Sequence, residues 1–253
     1  MNRIPLVFAA LLTALVAIPA AADDHEATRA KIEAAMASDI RPERDVARDA
    51  NRLPLETLEF FGLRDDMTVV ELLPGGGWYT RILSPVLDEN GRFYIAYGGT
   101  RMEEELSGTE GFENMRRAAA DAKVYRPEGS RYYVLENADL GVTGADMVLT
   151  FRNYHNFNAE GRAAMNEAAF DALKSGGIYA VVDHTRRHMQ ANDNENGRRF
   201  DPVLAIKEIQ AAGFEFVDFS DLHYRPDDEL RYEVGRRSVT GNTDRFSLKF
   251  VKP

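Results

Sequence analysis

The sequence of 253 residues contains no cysteine. This absence excludes disulfide bonds, thiolate zinc sites and cysteine nucleophiles. A chain of this length buries a core without covalent cross-links, so the absence does not argue against export from the cytoplasm.

Basic residues are also in the minority, with 31 Lys and Arg against 41 Asp and Glu and a formal net charge of −10. A protein that binds nucleic acid or anionic lipid generally presents a basic face. The composition therefore predicts no nucleic-acid partner. It does not exclude a small anionic ligand held by a few local arginines.

Long apolar runs are absent after the first residues, where Ile4 to Ile18 is almost unbroken. Asn2-Arg3 precede this run, and Pro19-Ala-Ala-Ala22 supplies small residues before Asp23. This pattern predicts a signal peptide at 1–22, cleaved after Ala22. The alternative, a membrane anchor, needs about 20 apolar residues. We expect a periplasmic or secreted protein with no integral membrane span after cleavage, and a small-molecule substrate.

Several catalytic signatures are missing. The chain has neither a Gly-x-Ser-x-Gly elbow nor a Walker loop. A nicotinamide dinucleotide site needs Gly-x-Gly-x-x-Gly and an acid after the second strand. The glycine spacing here differs, and the second predicted strand ends Ala96-Tyr97-Gly98-Gly99. The sequence thus argues against a dehydrogenase.

The periodicity predicts an α/β protein with a helical N-terminal extension at 23–62 and a Rossmann-like domain at 63–253. The extension contains helices at 24–38 and 54–61. The seven predicted strands lie at 67–73, 93–97, 132–135, 146–151, 178–182, 214–219 and 246–251. The predicted helices between them lie at 78–87, 110–122, 159–173 and 201–212. Alternating strands and helices indicate a mostly parallel sheet with helices on both faces, and the missing last helix indicates a C-terminal antiparallel hairpin.

The most informative segment runs from Val69 to Thr80 and reads as a strand, a glycine loop and a helix. Glycines let the backbone approach a ligand, and the helix start offers unpaired N–H groups. Glu71 lies near the strand end, where its carboxylate reaches a ligand. Ligands of such sheets bind beyond the carboxyl ends of the strands.

Glu71-x-x-x-Gly75-x-Gly77 with Trp78-Tyr-Thr80 resembles motif I of class I S-adenosylmethionine-dependent methyltransferases. Nearly the whole mature chain is similar to a group of exported bacterial predicted methyltransferases. The segments that carry this second resemblance are Arg41-Pro42 through Arg52-x-Pro54, Phe151-Arg-Asn-Tyr-His155 and Thr243-Asp-Arg-Phe246.

The resemblance implies S-adenosylmethionine as cofactor. It places Glu71 at the methionine or ribose side and Asn137-Ala138-Asp139 at the adenine edge. Arg152 and Asn153 would line the methyl-donor side. The implied glycine-loop contacts are Pro74, Gly75, Gly76, Gly77 and Trp78. Two positions depart from the motif, since Leu73 replaces its first glycine and no acid follows the second strand.

Candidate catalytic groups are His155 and His184, which follow neighbouring parallel strands and suit a general base. The other interpretation is that both are structural histidines. A metal set of these two with Asp183 and His188 matches no compact motif, so no metal site is predicted. His25 and His223 are expected on the surface.

Arginines near the predicted ligand edge allow two interpretations each. Arg198 and Arg199 follow a polar loop at 190–197 that serves as a lid or is simply solvated. Arg41, Arg48 and Arg52 fold over the ligand edge or pair with Glu43, Asp45 and Asp49, and pairing is the favoured prediction.

Two functions remain open. One is methyl transfer from S-adenosylmethionine to a small-molecule acceptor, in which the protein positions donor and acceptor. The alternative is a non-catalytic exported ligand-binding protein on a methyltransferase-like scaffold.

Overall fold

The computed structural model describes residues 20–253, with side chains from residue 25 onward. The predicted signal peptide at 1–22 therefore lies almost wholly outside the described residues. Within the described range, no helix is both long and apolar enough to cross a bilayer.

Eight α-helices and nine strands are described. The helices are α1 (Ala20–Met36), α2 (Glu43–Val46), α3 (Asp49–Arg52), α4 (Pro54–Phe61), α5 (Thr80–Leu87), α6 (Thr100–Leu106), α7 (Ala159–Ala172) and α8 (Pro202–Ala211). The strands are β1 (Thr68–Leu72), β2 (Arg92–Ala96), β3 (Met115–Arg117), β4 (Lys123–Tyr125), β5 (Val134–Glu136), β6 (Ala145–Phe151), β7 (Leu173–His184), β8 (Glu215–Ser220) and β9 (Arg245–Val251). A 3-10 helix lies at Tyr154–Asn156.

Seven strands form one sheet in the order β3-β2-β1-β6-β7-β9-β8. The first five of these run parallel, whereas β9 is antiparallel to both β7 and β8. The predicted Rossmann-like sheet with a C-terminal antiparallel hairpin is therefore confirmed. Order reverses beside β1 and β6, which is where such sheets bind ligands.

Both sheet faces are covered by helices, and alternate residues of β1 show why. Val69 belongs to the same buried cluster as Ile32 and Leu58 of the N-terminal helices, while Val70 on the opposite face belongs to the cluster that contains Met165 of α7. A strand buried on both faces is apolar at every position rather than alternating, as Val69-Val70 illustrates. The N-terminal helices therefore share a core with the sheet.

One predicted helix and one predicted sheet strand are wrong. Residues 110–122 hold β3 and turns instead of a helix, and the third sheet strand is Met115–Arg117. The predicted strand at 132–135 corresponds to β5, which pairs only with β4 in a separate two-stranded sheet. An edge strand such as β3 has one neighbour and a solvated side, so Met-Arg-Arg carries no apolar pattern to reveal it.

Candidate active site

A cavity of about 730 Å³ opens beyond the carboxyl ends of β1, β6 and β7. Its size is within the range of small-molecule sites. The predicted site residues that line it are Glu71, Pro74, Gly75, Gly76, Trp78, Arg152, Asn153, His155 and His184. Gly77, Asn137, Ala138 and Asp139 are not among its lining residues.

The glycine loop forms one wall of this cavity. Gly75 has φ +59°, and a Cβ built on either Gly75 or Gly76 would meet no protein atom within 4 Å. Side chains at these two positions would therefore occupy the cavity itself. Gly77 serves packing instead, because a Cβ there would lie 2.6 Å from Met102 Cγ of α6.

Glu71 lies near the end of β1 and is 3% exposed. Its Oε2 accepts a hydrogen bond from the Thr80 hydroxyl at 2.6 Å, at the start of α5. Burial raises the pKa of Glu71 to about 7, although the Thr80 hydrogen bond opposes the shift. No described basic side chain pairs with this carboxyl group, so its charge state near neutral pH responds to whatever binds beside it.

Tyr97 directly follows β2, at the position where the sequence lacks the acidic residue expected after the second strand. Tyr97 has φ 63°, a left-handed conformation that is uncommon for a bulky residue. Its hydroxyl donates to the carbonyl oxygen of Ala138. This contact joins the two segments between which the methyltransferase resemblance places the adenosine.

Asn137, Ala138 and Asp139 follow β5 of the small sheet rather than the third strand of the main sheet, which corrects their predicted setting. Asn137 Nδ2 donates to the carbonyl of Asp121 at 3.3 Å, and Asp139 accepts from the amide of Gly141 at 2.9 Å. Asn137 and Asp139 border a second cavity of about 660 Å³ beside β4. Their predicted contact with adenine stays a prediction.

His155 and Asp183 form a hydrogen-bonded pair at the cavity. His155 lies in the 3-10 helix after β6, and its Nδ1 is 2.6 Å from Oδ1 of Asp183 near the end of β7. Asp183 is fully buried and also accepts the backbone amides of His155 at 2.9 Å and His184 at 2.6 Å. A carboxylate on Nδ1 holds the tautomer in which Nε2 is free to accept a proton.

His184 lines the same cavity in a different electrostatic setting. Its Nδ1 lies 2.9 Å from the Thr243 hydroxyl, and its ring centroid is 5.9 Å from that of His155. Burial lowers the pKa of His184 well below its usual value, and His155 and three arginines add to that shift. His184 is therefore neutral and suits positioning better than proton uptake.

The remaining histidines have separate roles. His188 Nδ1 lies 2.9 Å from Asp201, and His25 is exposed as expected. The expectation that His223 lies on the surface is wrong, because its side chain is 1% exposed. Its Nε2 donates to the carbonyl of Arg52 at 2.9 Å, and its Nδ1 is 2.8 Å from Ser247 Oγ. Among the side chains described, no three His, Asp or Glu are grouped to hold a metal ion.

The N-terminal arginines divide between the two interpretations. Arg41 pairs with Asp49 through Nη1 at 2.8 Å and Nη2 at 2.5 Å. Arg48 and Arg52 line the cavity instead, and neither forms an ion pair within residues 25–253. The predicted pairing is therefore wrong for these two, because Arg48 between α2 and α3 and Arg52 at the end of α3 place their side chains at the cavity.

Arg198 and Arg199 also differ from each other in their surroundings. Arg199 is 1% exposed and its Nη2 pairs with Asp228 at 2.9 Å, so it stabilises the segment between β8 and β9. Arg198 lines the cavity and pairs with Glu233. The loop at 190–197 borders an adjoining space of about 310 Å³, and its role as a lid stays a prediction.

Sequence reasoning missed the contribution of the segment between β8 and β9. This segment supplies Val234, Gly235, Thr240, Gly241 and Thr243 to the cavity. Gly241 has φ +89°, and a Cβ there would lie 3.2 Å from Arg48 Nη1. The pairing of Asp183 with His155 was also missed, although the position of Asp183 beside His184 at a strand end was a usable signal.

Solved structures with the same fold are methyltransferases and related enzymes. A SAM-dependent methyltransferase from Aquifex aeolicus aligns with TM-score 0.55 and 15% identity, over 89% of this chain and 98% of that one. The [4+2]-cyclase SpnF aligns with TM-score 0.54 and 14% identity, over 80% of each chain. A TehB-like SAM-dependent methyltransferase from Corynebacterium glutamicum aligns with TM-score 0.50 and 12% identity, over 92% of this chain and 99% of that one.

These likenesses show the Rossmann-like fold of class I S-adenosylmethionine-dependent methyltransferases. The sequence matches no protein-family model, and no curated protein is significantly similar to it. One of the aligned structures is a cyclase, so the fold alone leaves the reaction undecided.

The residues present fit the cofactor at the glycine loop. Open space above Gly75 and Gly76 admits a ligand against the backbone, and buried Glu71 offers an acceptor beside it. Tyr97 stands where the resemblance calls for an acid to hold the ribose hydroxyls. The residues therefore fit the cofactor at the glycine loop and depart from the family pattern after β2.

Proposed function

We propose that this protein is an S-adenosylmethionine-dependent methyltransferase acting on a small molecule. The observation that carries the proposal is the position of the His155–Asp183 pair on the same cavity as Glu71 and the glycine loop. A cofactor wall and a general base that share one cavity are what methyl transfer to an oxygen or nitrogen requires.

S-adenosylmethionine supplies an electrophilic methyl group on a sulfonium sulfur. Gly75 and Gly76 would hold it against the backbone, with Glu71 accepting a hydrogen bond. Nε2 of His155 would accept the acceptor's proton, and the cofactor would supply the methyl group and be released as S-adenosylhomocysteine. Asp183 stabilises the imidazolium that results, because its carboxylate stays on Nδ1.

The test of the cofactor assignment is calorimetric titration with S-adenosylmethionine and S-adenosylhomocysteine. The wild type should bind in the micromolar range, and Gly75→Asp should weaken binding at least about 100-fold, which corresponds to about 2.7 kcal/mol. Gly108→Asp is the matched control, because Gly108 also has positive φ and open space but lies outside the cavity.

Equal binding by wild type and Gly75→Asp would contradict the site assignment. Absence of heat and of thermal stabilisation at millimolar ligand would leave the alternative, a non-catalytic binding protein on this scaffold. The His155–Asp183 pair favours the enzyme, since an imidazole oriented by a carboxylate at a cavity is the arrangement of a general base.

Export to the periplasm or medium is part of the same proposal and rests on residues 1–22. A protein purified from the host's exported fraction should begin at Asp23 by N-terminal sequencing. A mature chain that retains Met1 would overturn cleavage after Ala22.

A further inference from the structure

Four arginines form a cationic wall at the cavity, although the chain as a whole is acidic. Arg48, Arg52 and Arg152 line the cavity, and Arg245 at the start of β9 lies behind them. Arg52 and Arg245 are only 8% and 4% exposed. The Nε atoms of all four, and Nη1 of Arg52, are buried and lack a hydrogen-bond partner within the described part of the chain.

The four guanidinium groups are close enough to repel one another. Burial, together with the charges of Arg152, Arg245 and Arg48 in that order, lowers the pKa of Arg52 to about 9, with Tyr79 opposing. Burial together with Arg152 and Arg48 likewise lowers the pKa of Arg245 to about 10. Buried cations are normally paired, so this wall lacks its counter-charge.

The fold holds the wall in place. The Arg52 guanidinium stacks on Trp78 with Cζ 4.3 Å from the ring centroid, and the Arg52 carbonyl accepts from His223. Arg152 has φ 62°, and its amide donates to Val182 at 2.7 Å. A non-glycine residue in this conformation is strained, and such strain persists where function requires it.

The residues that line the cavity as a whole also carry an excess of positive charge. Six arginines and two carboxylates line it, the carboxylates being Asp45 and Glu71. Asp45 lies 3.9 Å from Arg81 and 4.0 Å from Arg44, so its ion pairs within the described residues are with these two arginines and not with the wall. S-adenosylmethionine carries two positive charges and one negative charge at neutral pH. Its binding would leave the excess of positive charge in place.

We propose that Arg48, Arg52 and Arg152 bind an oxyanion of the methyl acceptor, a phosphate group or a pair of carboxylates, and that Arg245 adds positive charge next to them without contacting the anion. The identification of the bound molecule as a methyl acceptor rests on the proposed function. The presence of an oxyanion site does not. Planar guanidinium groups with unused N–H donors match phosphate and carboxylate geometry. The anion anchors the acceptor so that its nucleophilic atom faces His155.

The probe is inorganic phosphate, titrated calorimetrically into the mature protein with and without saturating S-adenosylhomocysteine. We expect millimolar or tighter binding in both cases. Arg52→Gln and Arg152→Gln should each weaken it at least tenfold, whereas Arg237→Gln, at an exposed position outside the cavity, should leave it unchanged. Circular dichroism of each variant verifies folding, and Arg152→Gln serves if Arg52→Gln does not fold.

Lack of phosphate binding by the wild type would overturn the oxyanion site, as would equal binding by both cavity variants. Competition between phosphate and S-adenosylhomocysteine would also overturn it, since the arginines would then hold the cofactor's own carboxylate. Phosphate binding without any binding of S-adenosylhomocysteine would sustain the oxyanion site and overturn the methyltransferase.

Discussion

Two parts of the cavity wall each contain a buried ionisable group without a partner of opposite charge, an acid in one and a base in the other. At the glycine loop, Glu71 is a buried carboxyl group without a basic partner, and its pKa is raised to about 7. At the arginine wall, Arg52 is a buried base without an acidic partner, and its pKa is lowered to about 9. Within the described residues the two are not paired with each other.

An unpaired buried acid and an unpaired buried base on one cavity indicate that both are placed to contact a ligand. Pairing a buried acid with a buried base would have been the more stable arrangement, because each unpaired charge pays a desolvation penalty. Keeping them apart leaves unused guanidinium N–H donors and an unpaired carboxyl group on the same cavity. Such sites trade folding stability for affinity.

The largest expected effect is a loss of catalysis on substitution of His155. His155→Ala should lower kcat with an identified acceptor by about 100- to 10,000-fold, because the proton acceptor is lost. The binding of S-adenosylhomocysteine should stay within about twofold of wild type, since the glycine-loop wall is untouched. Asp183→Asn should also lower kcat, by changing the tautomer of His155. A kcat unchanged in His155→Ala would show that this histidine is structural.

Glu71→Gln tests the acidic wall through stability. The folded-state pKa of about 7 exceeds the usual 4.5, so the native state holds more protons and loses stability as pH rises from 4.5 to 7. At pH 8 the loss amounts to about 3 kcal/mol. The variant keeps the Thr80 hydrogen bond and should be more stable than wild type by about that amount at pH 8, with no difference at pH 4. Urea unfolding at both pH values measures it, with exposed Glu56→Gln as control.

Substitution of His223 tests the buried, neutral histidine that donates to the carbonyl of Arg52 in the cationic wall. Burial lowers its pKa from 6.5 to about 4, so between these values the unfolded state binds more protons and stability falls as pH decreases. The wild type should lose about 3 kcal/mol from this group between pH 7 and 4. His223→Gln should be less stable at pH 7 but should show a shallower decline, retaining the part due to His184. An identical decline in both proteins would contradict the buried, neutral state of His223.

The smallest expected effect concerns the nucleoside end of the acidic wall. Tyr97→Asp supplies the missing carboxylate and relieves a left-handed tyrosine, a conformation that Asp tolerates. Charge-assisted hydrogen bonds to hydroxyl groups should tighten S-adenosylmethionine binding about tenfold, or about 1.4 kcal/mol. Tyr97→Phe, which only removes the hydroxyl, is the matched control. Weaker binding by Tyr97→Asp than by Tyr97→Phe would place the nucleoside elsewhere.

Local patterns in the sequence predicted the elements whose signals are local. The glycine loop after β1, the Pro54 start of α4 and the Asp201 cap of α8 are all found, the cap accepting from Val203 at 2.9 Å. The edge strand β3 escaped prediction because an edge position imposes no apolar pattern. Pairing of Arg48 and Arg52 with neighbouring acids was wrong because sequence proximity does not fix the direction of a side chain.

By itself, the sequence determined the alternation of strands and helices, the motif Glu71 to Thr80 and the strand-end histidines, since backbone propensity and apolar periodicity act over a few residues. Only the tertiary structure decided which charges stay unpaired. His155 found Asp183, 28 residues away, and Arg52 came to lie beside Arg152 and Arg245 from distant strands. Burial and approach across the sheet set those pairings, and no short window of sequence contains them.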